Sequence, residues 1–327
     1  MKTVMIPMCR DTLNGTFCRA DPPVAELESG DTFVCSCMDG DWHTAKPETP
    51  ESNSGPFFEE RRMPQDWGHA LIGPIAVKGA KPGMTLAVHI LENRPANWGW
   101  SRVGGGNSPH ACALGLCEKH EFFLNWDLDV ERMIGVSHLG HVVSLSPFLG
   151  VLGVAPDCDE RVSTHPPRAA GGNLDCRDLV PGSVLYLPVF CDGAFLYVGD
   201  GHALQGQGEL GGTAIECPMD RIELRVELHP DLHINMPRAR TPKGWITFGF
   251  DEDLTKASYQ ALNEMVQLMM EQYCVTREEA LALASLVVDE YVTQIVNGVR
   301  GIHAVLPHGA IATRLFSGVD PRSYNSK

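Results

Sequence analysis

The sequence predicts a mainly β protein, built from β-sandwich- or barrel-like domains and a small C-terminal α/β unit of two helices and a hairpin. The 327 residues include 33 Gly and 23 Pro, which indicates many turns. Short apolar runs bounded by turn residues recur through the first 236 residues, as in strands. Helical spacing of apolar residues follows only after that point, and it predicts the α/β unit.

The N-terminal part reads as short strands separated by turns. Residues 32–37 and 84–91 are apolar runs, each preceded by a turn sequence that contains Gly. Residues 39–68 and 92–111 are rich in Pro, Gly and Asn and include a Gly run that ends at Gly106, so we expect long surface loops there. Loops of that length often border a binding site.

The middle of the chain contains the clearest hairpin pattern. Residues 184–190 and 194–198 are apolar or aromatic, and a Cys-Asp-Gly turn joins them, which predicts two neighbouring antiparallel strands. Residues 221–228 alternate strictly between apolar and charged side chains. This alternation predicts a strand with one face in water.

The C-terminal part changes to helical spacing. Apolar residues recur at that spacing across residues 262–269, and Thr276 with Glu279 forms a capping box that predicts the start of a second helix. Residues 291–296 and 299–306 flank an Asn-Gly turn and predict a hairpin.

These patterns divide the chain into three predicted parts. Residues 1–145 form an N-terminal β-sandwich-like domain, and residues 146–236 form a β-barrel-like domain that carries a glycine-rich loop. Residues 237–327 form the C-terminal α/β subdomain. We see no internal repeat.

Charge and cysteine content restrict the partners. A formal net charge of −15 repels phosphate backbones and anionic lipid, so we expect neither nucleic acid nor a membrane as a partner. The 11 cysteines are scattered without any Cys-x-x-Cys pair, which favours reduced thiols in a cytoplasm over a disulfide framework. The N-terminus lacks the apolar core of an export signal.

The densest unusual segment is the glycine-rich loop, residues 199–212. Six glycines in these fourteen residues let the backbone approach a ligand closely. If Asp200 and His202 continue the preceding strand, their spacing of two places both side chains on one face, where they can share a metal ion or a water. Glu209 could complete the group when the loop folds back. The alternative for His202 is a buried, hydrogen-bonded histidine without a catalytic role.

A second polar segment is Gly-Gly-Asn-Leu-Asp at residues 171–175. Asn173 and Asp175 are also two residues apart and could face the same pocket. Side chains of these types also make Asx turns with their own backbone, so composition alone favours a structural role. His110, Cys112, Cys117 and His120 offer four further metal ligands, but their compact spacing differs from that of zinc fingers and does not favour a site.

The order of several segments resembles the acetamidase/formamidase family. These segments are residues 150–156, 171–175, 184–190 and 198–209, and the likeness extends to residues 73–83, 276–283 and 294–297. The resemblance implies hydrolysis of formamide, acetamide or a similar small amide, a mostly β architecture and a divalent metal ion, with zinc favoured over calcium. A homo-oligomer, a dimer by default, is expected for a soluble enzyme of this type.

The resemblance also assigns candidate roles within the site. Glu209, His202 and Asp200 are the candidate catalytic residues, with Glu209 as the proton shuttle. Asp175, Asp200 and His202 are the candidate metal ligands, because carboxylate oxygen and imidazole nitrogen both bind zinc. For the substrate and its developing oxyanion, the candidates are Asn173, Gln205 and the loop N–H groups at Gly201.

One departure from the family keeps alternatives open. Many relatives carry a His-x-Gly element where this chain has Leu13-Asn14-Gly15. A ligand at that place would have to be replaced, for example by His69 or His43, or the chain would be a binding protein that no longer catalyses. A further alternative is a thiol amidase with Cys191 or Cys217 as the nucleophile beside His202.

Overall fold

The computed structural model describes residues 1–49, 55–105 and 109–312, and these residues form a mainly β structure, as predicted. The loop predicted at residues 92–111 contains Gly106, which lies outside the described residues. The strands are, in chain order, β1 (Thr3–Met5), β2 (Leu13–Asn14), β3 (Thr16–Phe17), β4 (Ala25–Leu27), β5 (Thr32–Cys37), β6 (Leu71–Val77), β7 (Thr85–Pro95), β8 (Trp98–Val103), β9 (Phe122–Asp129), β10 (Ile134–Ser137), β11 (Val142–Ser144), β12 (Phe148–Val154), β13 (Val162–Ser163), β14 (Gly171–Asn173), β15 (Val184–Pro188), β16 (Leu196–Leu204), β17 (Ile215–Glu216), β18 (Met219–His229), β19 (Arg238–Arg240), β20 (Gly244–Asp251), β21 (Asp289–Gln294) and β22 (Arg300–Pro307). The helices are α1 (Pro109–Ala113), α2 (Leu254–Tyr273) and α3 (Arg277–Val287), and a 3-10 turn spans Arg10–Thr12.

Two large sheets organise these strands. One has the order β1-β5-β18-β7-β15-β19-β20-β22-β21, and the other has the order β11-β10-β9-β8-β17-β16-β12-β14. Strand β6 joins the second sheet through β16 and also pairs with β2 and β4, while β3 and β13 form a separate pair. Nearly all pairings are antiparallel, apart from β1 with β5 and β4 with β6.

The main hydrophobic core lies between the two large sheets. Phe33 and Leu187 from the first sheet belong to the same buried cluster as Ile72, Leu149 and Val198 from the second. Strands β5 and β7 contact β16 across this layer. Each fully buried aliphatic side chain contributes about 1.5–3 kcal/mol, so this core holds the site strands β12 and β16 in place.

The predicted hairpin of residues 184–198 is wrong. Strand β15 pairs with β7 and β19 in the first sheet, whereas β16 pairs with β12 and β6 in the second. Three consecutive residues between them, Gly193, Ala194 and Phe195, have positive φ angles of 82°, 60° and 53°. This left-handed run redirects the chain from one sheet to the other, and the Cys-Asp-Gly sequence alone does not indicate it.

The predicted surface loop at residues 92–111 is also wrong over most of its length. Strand β7 continues to Pro95, and β8 occupies Trp98–Val103, where Trp98 and Trp100 are buried. Gly99 belongs in this strand because an added Cβ there would lie 2.7 Å from the Glu216 carbonyl oxygen. The glycine therefore marks the close approach of β8 to β17 rather than a loop.

Other predicted elements agree with the structure. Strand β18 contains the alternating segment, with Ile222, Leu224 and Val226 buried. Thr276 and Glu279 form the capping box at the start of α3, and β21 and β22 form the predicted antiparallel hairpin. Helix α2 packs on β20 and β22.

The C-terminal hairpin extends the first large sheet. Strand β22 pairs with β20 along its whole length, so the first large sheet contains strands from all three predicted parts of the chain, whereas the second contains strands from the first two. The division at residues 145/146 and 236/237 stays a prediction. Within the described residues, no helix combines the length and apolar character that a membrane crossing requires.

Candidate functional site

Three neighbouring strands, β14, β12 and β16, bring together the polar segments that the sequence singled out. Strand β12 pairs with β16 on one side, in the registers Leu149↔Gly201 and Val151↔Gly199. On its other side it pairs with β14, and the backbone N–H groups of residues 174 and 175 donate to the Gly150 carbonyl at 2.9 and 3.2 Å. Gly150 therefore lies between the segment that carries Asp175 and the segment that carries Asp200 and His202.

Gly150 leaves the space that these side chains fill. A Cβ at this position would lie 2.4 Å from Asp200 Oδ2 and 2.8 Å from both Asp175 Oδ1 and His202 Cε1. On the opposite side, a Cβ at Gly40 would lie 2.5 Å from Asp200 Oδ1. The Asp200 carboxylate thus sits between two glycines, which explains why close backbone approach is required here.

The His202 imidazole is the centre of the cluster. Its Nε2 lies 3.1 Å from Glu216 Oε2 and 3.4 Å from Asp200 Oδ2. The Gln205 side chain donates through Nε2 to the Asp175 carbonyl at 2.9 Å, so its Oε1 faces His202 Nδ1 at 3.0 Å and accepts from it. When the imidazole is neutral, this arrangement leaves the lone pair on Nε2, directed at the carboxylates.

The C-terminal hairpin holds the loop that carries Glu209. The Gly208 N–H donates to the Thr293 carbonyl at 3.0 Å, and the Ile295 N–H donates to the Gly208 carbonyl at 3.2 Å. Asn297, in the hairpin turn, donates through Nδ2 to Asp175 Oδ2 at 2.7 Å. The C-terminal unit therefore forms part of the site wall.

Three of the site carboxylates stand on left-handed backbone. The φ angles are 47° for Asp175, 59° for Asp200 and 49° for Glu209. Non-glycine residues adopt this region at a cost of order 1–3 kcal/mol, and such residues cluster at functional sites. The sheet pairings and loop hydrogen bonds around them hold these residues in place.

Two further imidazoles, His69 and His165, line the cavity. His69 forms a hydrogen bond of 2.9 Å between Nδ1 and Thr164 Oγ1, and its backbone N–H also donates to that oxygen at 3.0 Å. The ring centroids of His69 and His165 lie 4.6 Å apart. Trp100 and Arg102 line the same cavity.

Burial and mutual repulsion dominate the protonation of the acids. Burial raises the pKa of Asp175 to about 7. Burial and the neighbouring Asp175 charge raise the pKa of Glu209 well above its usual range, and burial likewise raises the pKa of Glu216. Burial would also raise the pKa of Asp200, but the imidazoles of His69 and His202 outweigh it and lower this pKa.

The pKa values of two cavity imidazoles, His202 and His165, shift in opposite directions. Burial disfavours protonated His202, yet Glu216 and Asp200 raise its pKa well above the usual value. Burial, followed by the positive charge of His69, lowers the pKa of His165 to about 4. The cavity thus gathers four buried carboxyl groups around His202, and a bound cation would offset the burial and repulsion that raise the pKa of three of them.

The donor set fits a divalent metal ion. Among the described residues, the side-chain oxygens Asp175 Oδ1, Asn173 Oδ1 and Glu209 Oε2 are buried without a hydrogen-bond partner. Two groups have metal-ligand spacing, with donor atoms within 4.8 Å of one another, and both lie here: Asp175 with Asp200 and His202, and His202 with Glu209 and Glu216. Buried, unpaired carboxylate oxygens beside an imidazole suit a cation such as zinc.

Five of the seven predicted site residues line the cavity, and two predicted substrate-binding residues, Gln205 and Gly201, do not. Asp175, Asp200, His202, Glu209 and Asn173 line one cavity of about 130 Å³, and Gln205 packs behind His202. Gly201 lies on the other face of β16, where an added Cβ would be 2.5 Å from the Cys217 carbonyl oxygen. It does not line the cavity.

The two histidines proposed as replacement ligands differ in their position relative to the cavity. Leu13 is buried in the main core and does not line the cavity, whereas His69 does. His43 is buried beside Asp39, with Nδ1 at 2.7 Å from Asp39 Oδ2, and is not a cavity residue. Of the two candidate replacements for a family histidine at Leu13, His69 is the one that lines the cavity, and its role as a ligand stays a prediction.

The cluster around residue 110 has a different structure from a metal site. Cys112 and Cys117 form a disulfide, which corrects the expectation that all thiols are reduced. His110 Nε2 contacts the Leu210 carbonyl oxygen at 2.6 Å. The described residues of this cluster form no group with metal-ligand spacing.

The polar cavity residues that were missed from the sequence include Glu216, His165 and Asn297. Glu216 had a detectable signal, since it is a carboxylate between the apolar residues Ile215 and Cys217. Asn297 was read only as a turn residue. His165 lies in a Pro-rich segment and carried no signal of its own.

Two neighbouring cavities share wall residues with the site cavity. One, of about 240 Å³, shares His69 and His165 with it and has aromatic walls. The other, of about 740 Å³, shares Arg102, Gly212 and Thr213 with it. The inner cavity itself is well below the roughly 300–1,000 Å³ of sites for drug-sized ligands, so it suits a molecule of a few heavy atoms.

Comparison with known proteins places this site in context. The sequence profile of the Acetamidase/Formamidase family matches residues 157–310. A crystal structure of an acetamidase from Bacillus halodurans superposes with a TM-score of 0.81 at 27% identity, covering 93% of this chain and 97% of that chain.

Curated relatives match over shorter stretches. The acetamidase of Mycolicibacterium smegmatis is 28% identical, over 55% of this chain and 61% of its own length. The formamidase of Methylophilus methylotrophus is 27% identical, over 58% of this chain and 57% of its own length. The chain thus spans about three fifths of the length of the curated relatives it matches.

Proposed function

We propose that this chain, whose residues 157–310 match the Acetamidase/Formamidase family, hydrolyses a short-chain amide, such as formamide or acetamide, to a carboxylate and ammonia. The observation that carries this proposal is the buried cluster of four carboxylates around His202, with unpaired oxygens facing a cavity of about 130 Å³. A cavity of this size suits a small amide and a water molecule.

We propose that Asp175, Asp200 and His202 hold a divalent ion, with zinc preferred over calcium because an imidazole is among the ligands. Such an ion supplies Lewis acidity, which polarises an amide carbonyl and acidifies water. Gln205 fixes the His202 ring for this role, and Asn297 fixes the Asp175 carboxylate.

The other side chains bind the amide and move protons. Asn173 Oδ1 is buried without a partner, so it can accept a hydrogen bond from the substrate NH₂ group. Glu209 Oε2 is likewise free to take a proton from the attacking water and to deliver it to the leaving nitrogen. A C–O bond forms, the C–N bond breaks, and ammonia leaves.

The structure offers little support for the thiol alternative. Neither Cys191 nor Cys217 lines the cavity. Burial raises the pKa of the Cys191 thiol to about 11 and raises that of Cys217 well above its usual value. Since the thiolate is the nucleophile, both thiols are inert near neutral pH.

Ammonia release from formamide, acetamide and propionamide by metal-replete protein tests the proposed function. Asp200→Asn should abolish the release, while Asp192→Asn, an exposed carboxylate that pairs with Lys81, should leave it unchanged. A folded, metal-replete protein that releases no ammonia from these amides would refute the proposal and favour a non-catalytic binding protein. The cytoplasmic location and the dimeric state stay predictions.

A further inference from the structure

The larger of the two neighbouring cavities, called the outer cavity here, borders the proposed active site, called the inner cavity. It has a volume of about 740 Å³ and shares Arg102, Gly212 and Thr213 with the inner cavity. The turn of the C-terminal hairpin separates the two spaces, with Asn297 on the inner side and Val296 on the outer side. Because the two cavities share these wall residues, a substrate that reaches past the turn would carry its tail from the inner cavity into the outer one.

The wall of the outer cavity is mostly apolar. Leu114 in this wall is 60% exposed and Leu254 is 39% exposed, although the transfer of a leucine side chain out of water lowers the free energy. An aliphatic chain would cover them. The apolar residues of this wall include Val103, Leu114, Leu116, Leu254, Ile295 and Val296.

Two arginines also line the outer cavity, and only one is neutralised. Arg102 Nη1 lies 3.6 Å from both Asp41 Oδ2 and Glu121 Oε1, and its guanidinium stands over the Trp100 ring at 5.5 Å. Arg300 is half-buried at the start of β22, and within the described residues its side chain has neither an ion pair nor a hydrogen bond.

Among the residues that the structure describes, no acid forms an ion pair with Arg300. Asp251 lies opposite Arg300 in the register of β20 and β22, but its Oδ1 accepts from the Asp253 N–H at 2.9 Å. Asp253 in turn caps α2 by accepting from the N–H groups of Thr255 and Lys256. A guanidinium left without a partner in a partly apolar wall favours an anionic ligand group, and its fork of donors matches a carboxylate.

We propose that the substrates of this chain are primary amides of short dicarboxylic acids, with the amide in the inner cavity, the aliphatic chain in the outer cavity and the free carboxylate on Arg300. This proposal rests on the proposed function, because the departing group is ammonia and only the acyl side can carry a tail. Water adds to the amide carbon, the C–N bond breaks, and a dicarboxylate and ammonium are formed.

Kinetics on a matched set of amides tests this substrate class. The set is acetamide, hexanamide and adipamic acid, the monoamide of hexanedioic acid, and kcat/KM is measured for the wild type, Arg300→Met and Arg240→Met. Arg240 is an exposed strand arginine away from both cavities and serves as the control. Thermal unfolding of each variant verifies that it is folded.

For the wild type we expect kcat/KM for adipamic acid to exceed kcat/KM for hexanamide by roughly tenfold or more, because a hydrogen bond to a charged group is strong. Arg300→Met should remove the preference for adipamic acid over hexanamide and leave kcat/KM for acetamide unchanged. Arg240→Met should change neither the preference nor kcat/KM for acetamide. Equal or better turnover of hexanamide by the wild type would overturn the proposal. An equal loss on all three amides in Arg300→Met would overturn it as well.

Calorimetric binding separates this inference from the proposed function. If no amide is hydrolysed, the proposed function fails, yet tighter binding of adipamic acid than of hexanamide, lost in Arg300→Met, would still support the carboxylate subsite. Absence of that difference would overturn the subsite. A tail that instead enters the aromatic cavity beside His69 would make adipamic acid insensitive to Arg300→Met, which also overturns it.

Discussion

Gly150→Ala should disable the site while leaving the fold intact. The added Cβ would lie 2.4 Å from Asp200 Oδ2 and 2.8 Å from Asp175 Oδ1 and His202 Cε1, where ordinary contacts begin near 3.4 Å. All three side chains are buried and fixed by sheet pairing or hydrogen bonds. The smallest accommodation therefore moves the functional groups themselves, by roughly 1 Å for Asp200.

The magnitude follows from this displacement. A misplacement of about 1 Å in a catalytic group lowers turnover by on the order of a hundredfold. Overpacking of a buried position costs about 1–3 kcal/mol, and the backbone at Gly150 has no positive φ that would add strain. We therefore expect a folded protein with a small loss of stability and a large loss of activity.

The assay is ammonia release from acetamide together with chemical unfolding of each variant. Gly206→Ala is the matched control, because a Cβ there meets nothing within 4 Å and Gly206 lies on the same site loop. The control should retain normal turnover. Near-normal turnover in folded Gly150→Ala would refute the reasoning, since the carboxylates and imidazole would then not need their observed positions.

The remaining predictions concern proton transfer, thiols and pH. Glu209→Gln should fold and keep its metal while turnover falls by roughly a hundredfold, and near-normal turnover would remove Glu209 from the mechanism. If metal and activity are lost together, Glu209 is a ligand. Cys217→Ala should keep normal turnover. The wild type should resist iodoacetamide at Cys217 because burial raises the pKa of that thiol, and inactivation by modification of Cys217 would contradict this. The contact with His303, and that with Lys243, lower the pKa of Asp178 from its usual 3.8, so this stabilisation is present above about pH 4 and is lost as the pH falls further. Asp178→Asn should therefore lower the free energy of unfolding by about 1 kcal/mol at pH 7 and flatten its decline below pH 4, and unchanged stability curves would contradict this contribution.

The sequence was informative where one local pattern determines one local structure. The capping box at Thr276, the alternating segment in β18 and the C-terminal hairpin are all set by neighbouring residues, and all are present. The spacing of Asp200 and His202 on one strand likewise placed both side chains on one face, where they lie 3.4 Å apart.

The sequence was less informative where distant segments meet. Asp175 reaches the site only because β12 stands between β14 and β16, and nothing local to Asp175 indicates that pairing. The left-handed backbone at Ala194 and Phe195 separates two strands that look like a hairpin. Both features depend on the arrangement of whole sheets, which a single sequence does not express in its local residue pattern.

Asn297 was missed as a site residue for the same reason, because its contact in the site is with a distant segment. Asn297 was read as a turn residue because Asn-Gly is a strong hairpin signal, and the turn is indeed there. Its side chain has a second role, since it donates to Asp175, 122 positions earlier in the chain. A residue that satisfies a local rule and also serves a distant contact gives no sign of the second role.

Metal titration of stripped protein tests the central claim most directly. The protein is treated with a chelator, and zinc and calcium are added back in steps while bound ion and ammonia release from acetamide are measured on the same sample. If the cluster around His202 is a metal-dependent amidase centre, ammonia release should rise with zinc occupancy and saturate at about one ion per chain. Full ammonia release by ion-free protein would contradict the claim, as would zinc occupancy of the cluster without any ammonia release.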